Sequence, residues 1–217
     1  ANEIQIDELA NVANDFSFGQ LTSIDLPNES RGLMPTQSWK KKNKNDVWHL
    51  GETHNAVIGQ GFTLSTPLQI ATMTARIATG KKIIPSIRKK KIEQFETLNY
   101  SSESINFVKN SMLSVVNEYK GTAFSSRLKN RKYQMAGKTG TSQVRRISLI
   151  ERESGVLENE ELPFELRDHS IFSGFAPFDK PTFALAVVIE HAGSGSKVAA
   201  PISRDIMDFA LKFKDKL

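Results

Sequence analysis

Met135-Ala136-Gly137-Lys138-Thr139-Gly140-Thr141-Ser142-Gln143-Val144 decides how this chain is read. The run reads as a strand ending in a cation, a hydroxyl and a glycine, then more hydroxyls. Lys138 offers a cation that can anchor a carboxylate or move a proton. Thr139 offers a hydroxyl to the same anion. Gly140 removes a side chain, so another backbone can lie close to the strand. The backbone N–H of Thr141 is placed to donate to a developing oxyanion. Ser142 and Gln143 continue the strand toward the same cleft. A polar strand end with no chemistry is the plainer reading of these residues, and three residues alone do not exclude it.

Around that run the chain organises itself. Apolar residues at helical spacing predict a short amphipathic helix over 6–16, ended near Gly19. Residues 20–60 read as irregular, punctuated by Pro27, Gly32, Pro35, Gly51 and Gly59, with Trp39 and Trp48 pinning the loop. The lysine clusters at 40–44 and 88–91 read as solvated loops or edges. Gly59-Gln60-Gly61 lacks the spacing and lysine of a phosphate loop and reads as a tight turn. Thr66-Pro67 caps and starts a buried helix over 68–79, closed by Gly80. Residues 83–95 read as a basic, β-like edge excursion. Ser101 or Ser102 caps a further helix with Ile105, Val108, Met112, Val115 and Tyr119 on one stripe.

A turn at Gly121-Thr122-Ala123 leads to a strand ending in Lys138. A charged insertion over 145–166 follows. Two strands, 170–175 and 182–189, are joined by the hairpin-type connection 176–181. A terminal helix starts at Pro201, with Ile202, Ile206, Met207, Ala210, Leu211 and Phe213 on its apolar side. The expected fold class is α+β: one antiparallel sheet flanked by helices, in one domain spanning 1–217.

Composition bounds the function. A chain of 217 residues that is 39% hydrophobic is long enough for a sizeable core. The net charge of +5 suits an anionic partner. No aromatic stacking platform accompanies the lysines, so nucleic acid is not expected. With no cysteine there is no disulfide framework and no thiolate metal site. His49, His54, His169 and His191 show no metal-ligand spacing, so neither metal nor cofactor is expected. His169 is expected to make a structural hydrogen bond rather than act in a catalytic dyad, and the Glu158–Glu161 cluster to be a solvated loop. The longest aliphatic run, Phe183 to Ile189, falls far short of the roughly 20 residues that span a bilayer.

The Lys138-Thr139-Gly140 triplet matches a signature of penicillin-binding proteins and serine β-lactamases. It stands with Gly32-Leu33-Met34-Pro35-Thr36, Ile58-Gly59-Gln60-Gly61-Phe62-Thr63-Leu64-Ser65-Thr66-Pro67, and Arg167-Asp168-His169-Ser170-Ile171-Phe172-Ser173-Gly174-Phe175-Ala176-Pro177. In this order the set resembles the transpeptidase domain of the penicillin-binding protein 2 family, class B enzymes of cell elongation, from about Ile6 to Phe213. The resemblance implies the penicillin-binding protein/serine β-lactamase-like fold and an acyltransferase acting on D-alanyl-D-alanine stem peptides and trapped by β-lactams. It implies a parent anchored in the inner membrane, with its catalytic domain on the periplasmic side and elongation-complex proteins as partners. Lys138 and Thr141 then take the catalytic roles, and Thr139, Gly140, Ser142 and Gln143 bind substrate.

One departure qualifies this. The family's nucleophilic Ser-x-x-Lys and its Ser-x-Asn or Ser-x-Asp precede the lysine strand by more than this sequence contains. The matches at Ser38, Ser86, Ser126 and Ser194, and those at Ser23 and Ser104, read as chance, because none opens a long apolar helix. The fold is therefore expected to be incomplete on its N-terminal side, and the chain alone to be inactive. Two alternatives stay open: a non-catalytic β-lactam- or wall-binding module of the same fold, and a D,D-carboxypeptidase.

Overall fold

The computed structural model describes residues 4–88, 94–130, 132–145, 151, 153 and 155–214. They form two compact units, Ala1–Ser102 and Glu103–Leu217.

The first unit carries four helices: α1 (Ile6–Asp15), α2 (Gln37–Lys44), α3 (Leu50–Val57) and α4 (Pro67–Thr79). Gln5 and Glu8 cap α1 reciprocally, and Thr66 with Gln69 does the same for α4, whose Pro67 stands at the first helical position. Gly80 ends α4 in the left-handed conformation at φ +67°. The helix is enclosed as expected, but its most buried side chains are polar: Gln69, Thr72, Thr74 and Arg76.

Each of these has a partner. Thr72 and Thr74 donate back to Leu68 O and Ile70 O, both at 2.8 Å. Arg76 donates to Asp15 O at 2.8 Å and to Ile83 O at 3.1 Å. Gln69 donates to Gln20 O and Arg31 O, each at 2.8 Å, and so holds both ends of the long loop between α1 and α2. That loop closes on Leu64 through the Leu33–Leu64 bridge. Gly32 makes the closure possible: at φ +59°, a Cβ there would fall 2.3 Å from Leu64 O.

The expectation that 20–60 is irregular is corrected by α2 and α3. Helix α2 starts from a Thr36 hydroxyl that accepts from Trp39 N at 3.1 Å. Its Lys40 is buried, not solvated, and donates to Val47 O at 2.6 Å and Glu52 Oε2 at 2.7 Å, with Asp46 at 2.9 Å. Burial alone would lower the Lys40 pKa, but the hydrogen bonds to Glu52 and Asp46 outweigh it and hold the pKa above its ordinary value. A lysine run has no apolar periodicity, so a helix whose buried side chain is an ammonium escapes a hydrophobicity reading. Trp39 and Trp48 do pin the segment, both against Phe62.

Of the expected β-like excursion 83–95, residues 89–93 lie outside the described residues. The rest holds no named strand. A single bridge, Lys81–Thr97, crosses its base. The segment is fixed instead by Asp25, which accepts from Ile87 N at 2.7 Å and Ser86 Oγ at 2.9 Å. These bonds, the Ile87 N–H first, lower the Asp25 pKa from 3.8 to about 2. Because the folded pKa is depressed, the stabilisation is complete above pH about 4 and is lost as pH falls toward 2. The melting-temperature difference between the native protein and Asp25→Asn is therefore expected to shrink between pH 4 and pH 2. Melting curves across that range check it, and a difference independent of pH would refute it.

The second unit is a three-stranded antiparallel sheet in the order β1 (Ala136–Ser142), β2 (His169–Ala176), β3 (Phe183–Ile189). It packs against α6 (Ala199–Lys214), and α5 (Ser102–Asn117) leads into it. Val116, Leu128, Met135, Phe172, Met207 and Leu211 are centres of one core. Strand β1 begins at Ala136 and runs through Lys138 to Ser142, with Gln143 just past its end.

Two apolar stripes face differently from expectation. On α5 the buried residues are Met112 and Val116, while Val108 and Tyr119 are exposed. On α6 the sheet takes Ala199, Ala200, Ser203, Met207 and Leu211, and Ile202, Ile206, Phe209 and Phe213 are exposed. Helix α6 is apolar on two sides, so periodicity admits either. The sheet selects the side with small residues at its N-terminal end, which lets the helix approach closely. Among the described residues, no helix is long and apolar enough to cross a membrane, and no group of three or more potential ligands could hold a metal.

Candidate functional site

Strand β1 carries a burial gradient. Met135, Ala136 and Gly137 are buried in the core, Lys138 is exposed, Thr139 and Gly140 are half-buried, and Thr141 and Ser142 are exposed. The core fixes one end of the strand and presents the other. Gly137 serves the fixed end. A Cβ on Gly137 would lie 2.3 Å from the Phe172 ring, and one on its cross-strand partner Gly174 would lie 2.8 Å from that ring. The Phe172 ring thus occupies the space that two missing side chains leave, and it is fully buried there.

The five β1 residues named from sequence, Lys138 to Ser142, project from one continuous strand, and Gln143 follows at its end. The strand lies at the edge of the described sheet, paired on one side with β2. Lys138 Nζ donates to Thr139 O at 2.6 Å. The Thr139 hydroxyl lies 2.9 Å from that of Thr122, which the sequence reading assigned only to a turn. Gly121 sets that turn, since a Cβ there would fall 2.2 Å from Val115 O. No spacing rule connects residue 122 to residue 139, so the hydroxyl pair is visible only in three dimensions. At Gly140 itself there is room. A Cβ would meet nothing closer than Ile171 Cβ at 3.4 Å, an ordinary contact.

The close backbone approach occurs from Gly195. A Cβ built there would fall 2.3 Å from Gly140 O and 2.4 Å from Ile171 O. The loop before α6 therefore rests directly on β1 and β2, and a set of buried bonds holds it there. Ser170 Oγ donates to Ser194 O and accepts from Ala199 N, both at 3.0 Å. His169 Nδ1 accepts from His191 N at 3.0 Å, and Gly193 N donates to Asp168 O at 2.8 Å. His169 is thus a structural acceptor, as the sequence suggested. Asp168 N donates to Asn159 Oδ1 at 2.8 Å, and Arg167 Nε donates to Leu162 O at 3.0 Å. The Arg167-Asp168-His169 run stitches two flanking loops to the strand beside the site.

Beyond the exposed end of β1 lies a cavity of about 220 Å³, lined by Gln143, Arg145, Glu158 and Asp168 with apolar Leu157 and Leu162. Arg145 pairs with Glu151 at 2.6 Å. The expected insertion 145–166 lies partly outside the described residues, at 146–150, 152 and 154. Glu158 and Glu161 within it are a reciprocal cap on a short 3₁₀ turn, Asn159–Glu161.

The serines of the Ser-x-x-Lys matches are bonded to other groups or enclosed. Ser38 pairs with Thr36, Ser86 with Asp25, and Ser194 with Ser196, while Ser126 is fully buried.

Residues 1–208 match the penicillin binding protein transpeptidase domain family. The chain is 36% identical to the peptidoglycan D,D-transpeptidase MrdA of Acinetobacter baumannii, across 93% of this chain and 31% of that protein. It is 30% identical to the MrdA of Escherichia coli, across 96% of this chain and 34% of that protein. The chain thus spans about a third of the length of these relatives. Among solved structures, it superposes on PBP2 of Helicobacter pylori in complex with MreC with TM-score 0.84 at 31% identity, covering 99% of this chain and 37% of that one. Pseudomonas aeruginosa PBP2 in complex with WCK 5153 superposes with TM-score 0.78 at 34% identity, covering 95% of this chain and 43% of that one. The lysine strand, the sheet behind it and these matches have one conclusion: the chain belongs to the penicillin-binding protein transpeptidase family, among its PBP2-type members.

Proposed function

We propose that this chain is the C-terminal part of a peptidoglycan D,D-transpeptidase domain and supplies the lysine-threonine-glycine wall of its active site. The observation that carries this reading is strand β1, anchored by its buried start and open from Lys138 onward, in a chain matching the family over residues 1–208.

The chemistry follows from the strand. The Lys138 ammonium draws in the terminal carboxylate of a D-alanyl-D-alanine stem peptide and sets the charge around the attacking serine. The Thr139 hydroxyl, 2.9 Å from Thr122, donates to that carboxylate. Room at Gly140 lets the peptide lie alongside. The Thr141 N–H is one of two donors to the tetrahedral oxyanion, a contribution typically of about 3–4 kcal/mol. The serine attacks the penultimate carbonyl, the terminal D-alanine leaves as the amine, and an amine of a second stem peptide resolves the acyl-enzyme. β-Lactams acylate the same serine by opening their ring. None of the four Ser-x-x-Lys matches within residues 1–217 opens a long apolar helix, so none of them supplies that serine and residues 1–217 by themselves do not acylate. The parent works at the periplasmic face of the inner membrane with protein partners of the MreC kind.

Intact-mass analysis with a β-lactam tests this. A folded 217-residue chain is expected to gain no adduct, and a chain that includes the upstream segment is expected to gain one per molecule. An adduct on the short chain would name one of its own serines as nucleophile. No adduct on the longer folded protein would favour a non-catalytic module.

A further inference from the structure

We infer that His169 is a positioning residue for the transpeptidase site. With Nδ1 bare it holds the loop that carries Gly195 against strand β1, and a proton taken up at Nδ1 releases that loop. The inference rests on the transpeptidase reading above and adds to it a residue that touches no substrate.

The partners of two imidazoles demand opposite things of them. His169 opens β2, opposite Ser142 at the far end of β1. Its Nδ1 lies 3.0 Å from His191 N. A backbone amide only donates, so this Nδ1 carries no proton. His191 follows β3, and its own Nδ1 lies 3.1 Å from Arg167 O. A carbonyl only accepts, so that Nδ1 carries one. The rings meet edge to face with centroids 4.8 Å apart. His191 also stands at φ +56°, a left-handed conformation that a non-glycine residue rarely adopts. Its two bonds, one from the backbone N–H and one from the ring, hold it there.

Protonation therefore breaks one of these bonds and spares the other. His191 keeps its bond to Arg167 O in either state. At His169 a donor comes to face a donor, and His191 N loses its acceptor. Around the pair stand Arg167, whose Nε donates to Leu162 O at 3.0 Å, and Asp168, whose carboxylate accepts from Asn159 Nδ2 at 3.2 Å. The Phe164 ring lies 5.1 Å from that of His191. Glu165 beside Phe164, Glu190 just after β3 and Lys197 in the loop complete the charges of the packed segments, and Ser142 on the β1 side has none. The loop carries the effect to the site. Four residues after His191, Gly195 lies so close to the sheet that a Cβ there would fall 2.3 Å from Gly140 O. Gly140 stands between Thr139 and Thr141, the proposed carboxylate and oxyanion donors. A loop released at His191 loosens the backbone that aligns both.

The test follows acylation of the longer, serine-bearing protein by a fluorescent penicillin from about pH 8 to pH 5, the range over which imidazoles gain charge. His169→Asn offers an amide oxygen where Nδ1 stands and takes up no proton there. The native protein is expected to lose about tenfold more of its acylation rate toward pH 5 than His169→Asn does, the fold-change that one net hydrogen bond implies. His191→Asn keeps the backbone donor and is expected to keep the native acid loss. Hydrogen exchange in the native protein reads the loop without any variant. Protection of residues 191–199, corrected for intrinsic rates, is expected to fall about tenfold over the same range while that of Phe183–Ile189 holds. Parallel acylation profiles for the native protein and His169→Asn overturn the inference and leave the transpeptidase reading standing. Loop protection that does not change with pH also overturns it. A folded longer protein that penicillin labels at no pH overturns the transpeptidase reading, and the positioning role with it.

Discussion

Replacing Phe172 with alanine is expected to destabilise the second unit by about 3–5 kcal/mol, the range for removing a fully enclosed phenylalanine. The site cannot collapse to soften the loss. Its walls are the backbones of Gly137 and Gly174, and these are strand backbones fixed by pairing with each other. A cavity left there keeps most of its volume, and the cost rises with that volume. Phe172→Leu retains much of the filling and is expected to cost less than half as much. Chemical denaturation of the isolated chain checks both values. A loss under 1.5 kcal/mol for the alanine variant would mean that the strands close over the gap and that the glycines are not held apart as described.

Lys138→Met is expected to slow β-lactam acylation of the longer, serine-bearing protein by about 10²–10³-fold, the usual effect of removing one preorganised electrostatic contact from an acyl-transfer site. Stability is expected to stay within about 0.5 kcal/mol, because Lys138 is exposed and its recorded hydrogen bond is to its neighbour's carbonyl. Methionine preserves the stem and removes the charge, so the two effects separate. Stopped-flow acylation and a melting curve on the same preparation measure them. An unchanged acylation rate would remove Lys138 from the proposed mechanism, whatever the melting curve reads.

The legible and illegible parts of this fold divide along a physical line. Strand β3 is plain in the sequence because Phe183–Ile189 is a consecutive apolar run, β2 is legible from Ile171, Phe172, Phe175 and Ala176 ahead of Pro177, and α4 is plain because Thr66-Pro67 and Gly80 mark both ends. The lysine strand was legible as chemistry, since a cation, a hydroxyl and a glycine in succession have few other reasons to adjoin. Helices α2 and α3 were not legible. Their stability comes from a buried ammonium and from single capping residues, which leave no hydrophobic period.

The α6 stripe was misread for the opposite reason, an excess of apolar residues on two sides. Thr122 beside Thr139 and Gly195 against Gly140 join residues 17 and 55 positions apart. Contacts of that kind follow from tertiary approach alone. The Arg167-Asp168-His169 run stood out by its composition, but its work, stitching loops through backbone groups, depends on partners that no local pattern names.

Gly195 ties the terminal helix to the chemistry over a very short span. From Gly140 to the first turn of α6 the path is one glycine contact and one hydrogen bond, Ala200 N to Gly195 O at 2.9 Å. Ser170 adds a second tie, from β2 to Ala199 at 3.0 Å. With no side chain between them to yield, the two backbones act as a rigid coupling. A shift of α6 that carries the Gly195 loop with it meets the backbones of Gly140 and Ile171 directly. The terminal helix is therefore the strand's alignment gauge, and the tolerance of the active-site wall is set by a loop with no reactive group of its own.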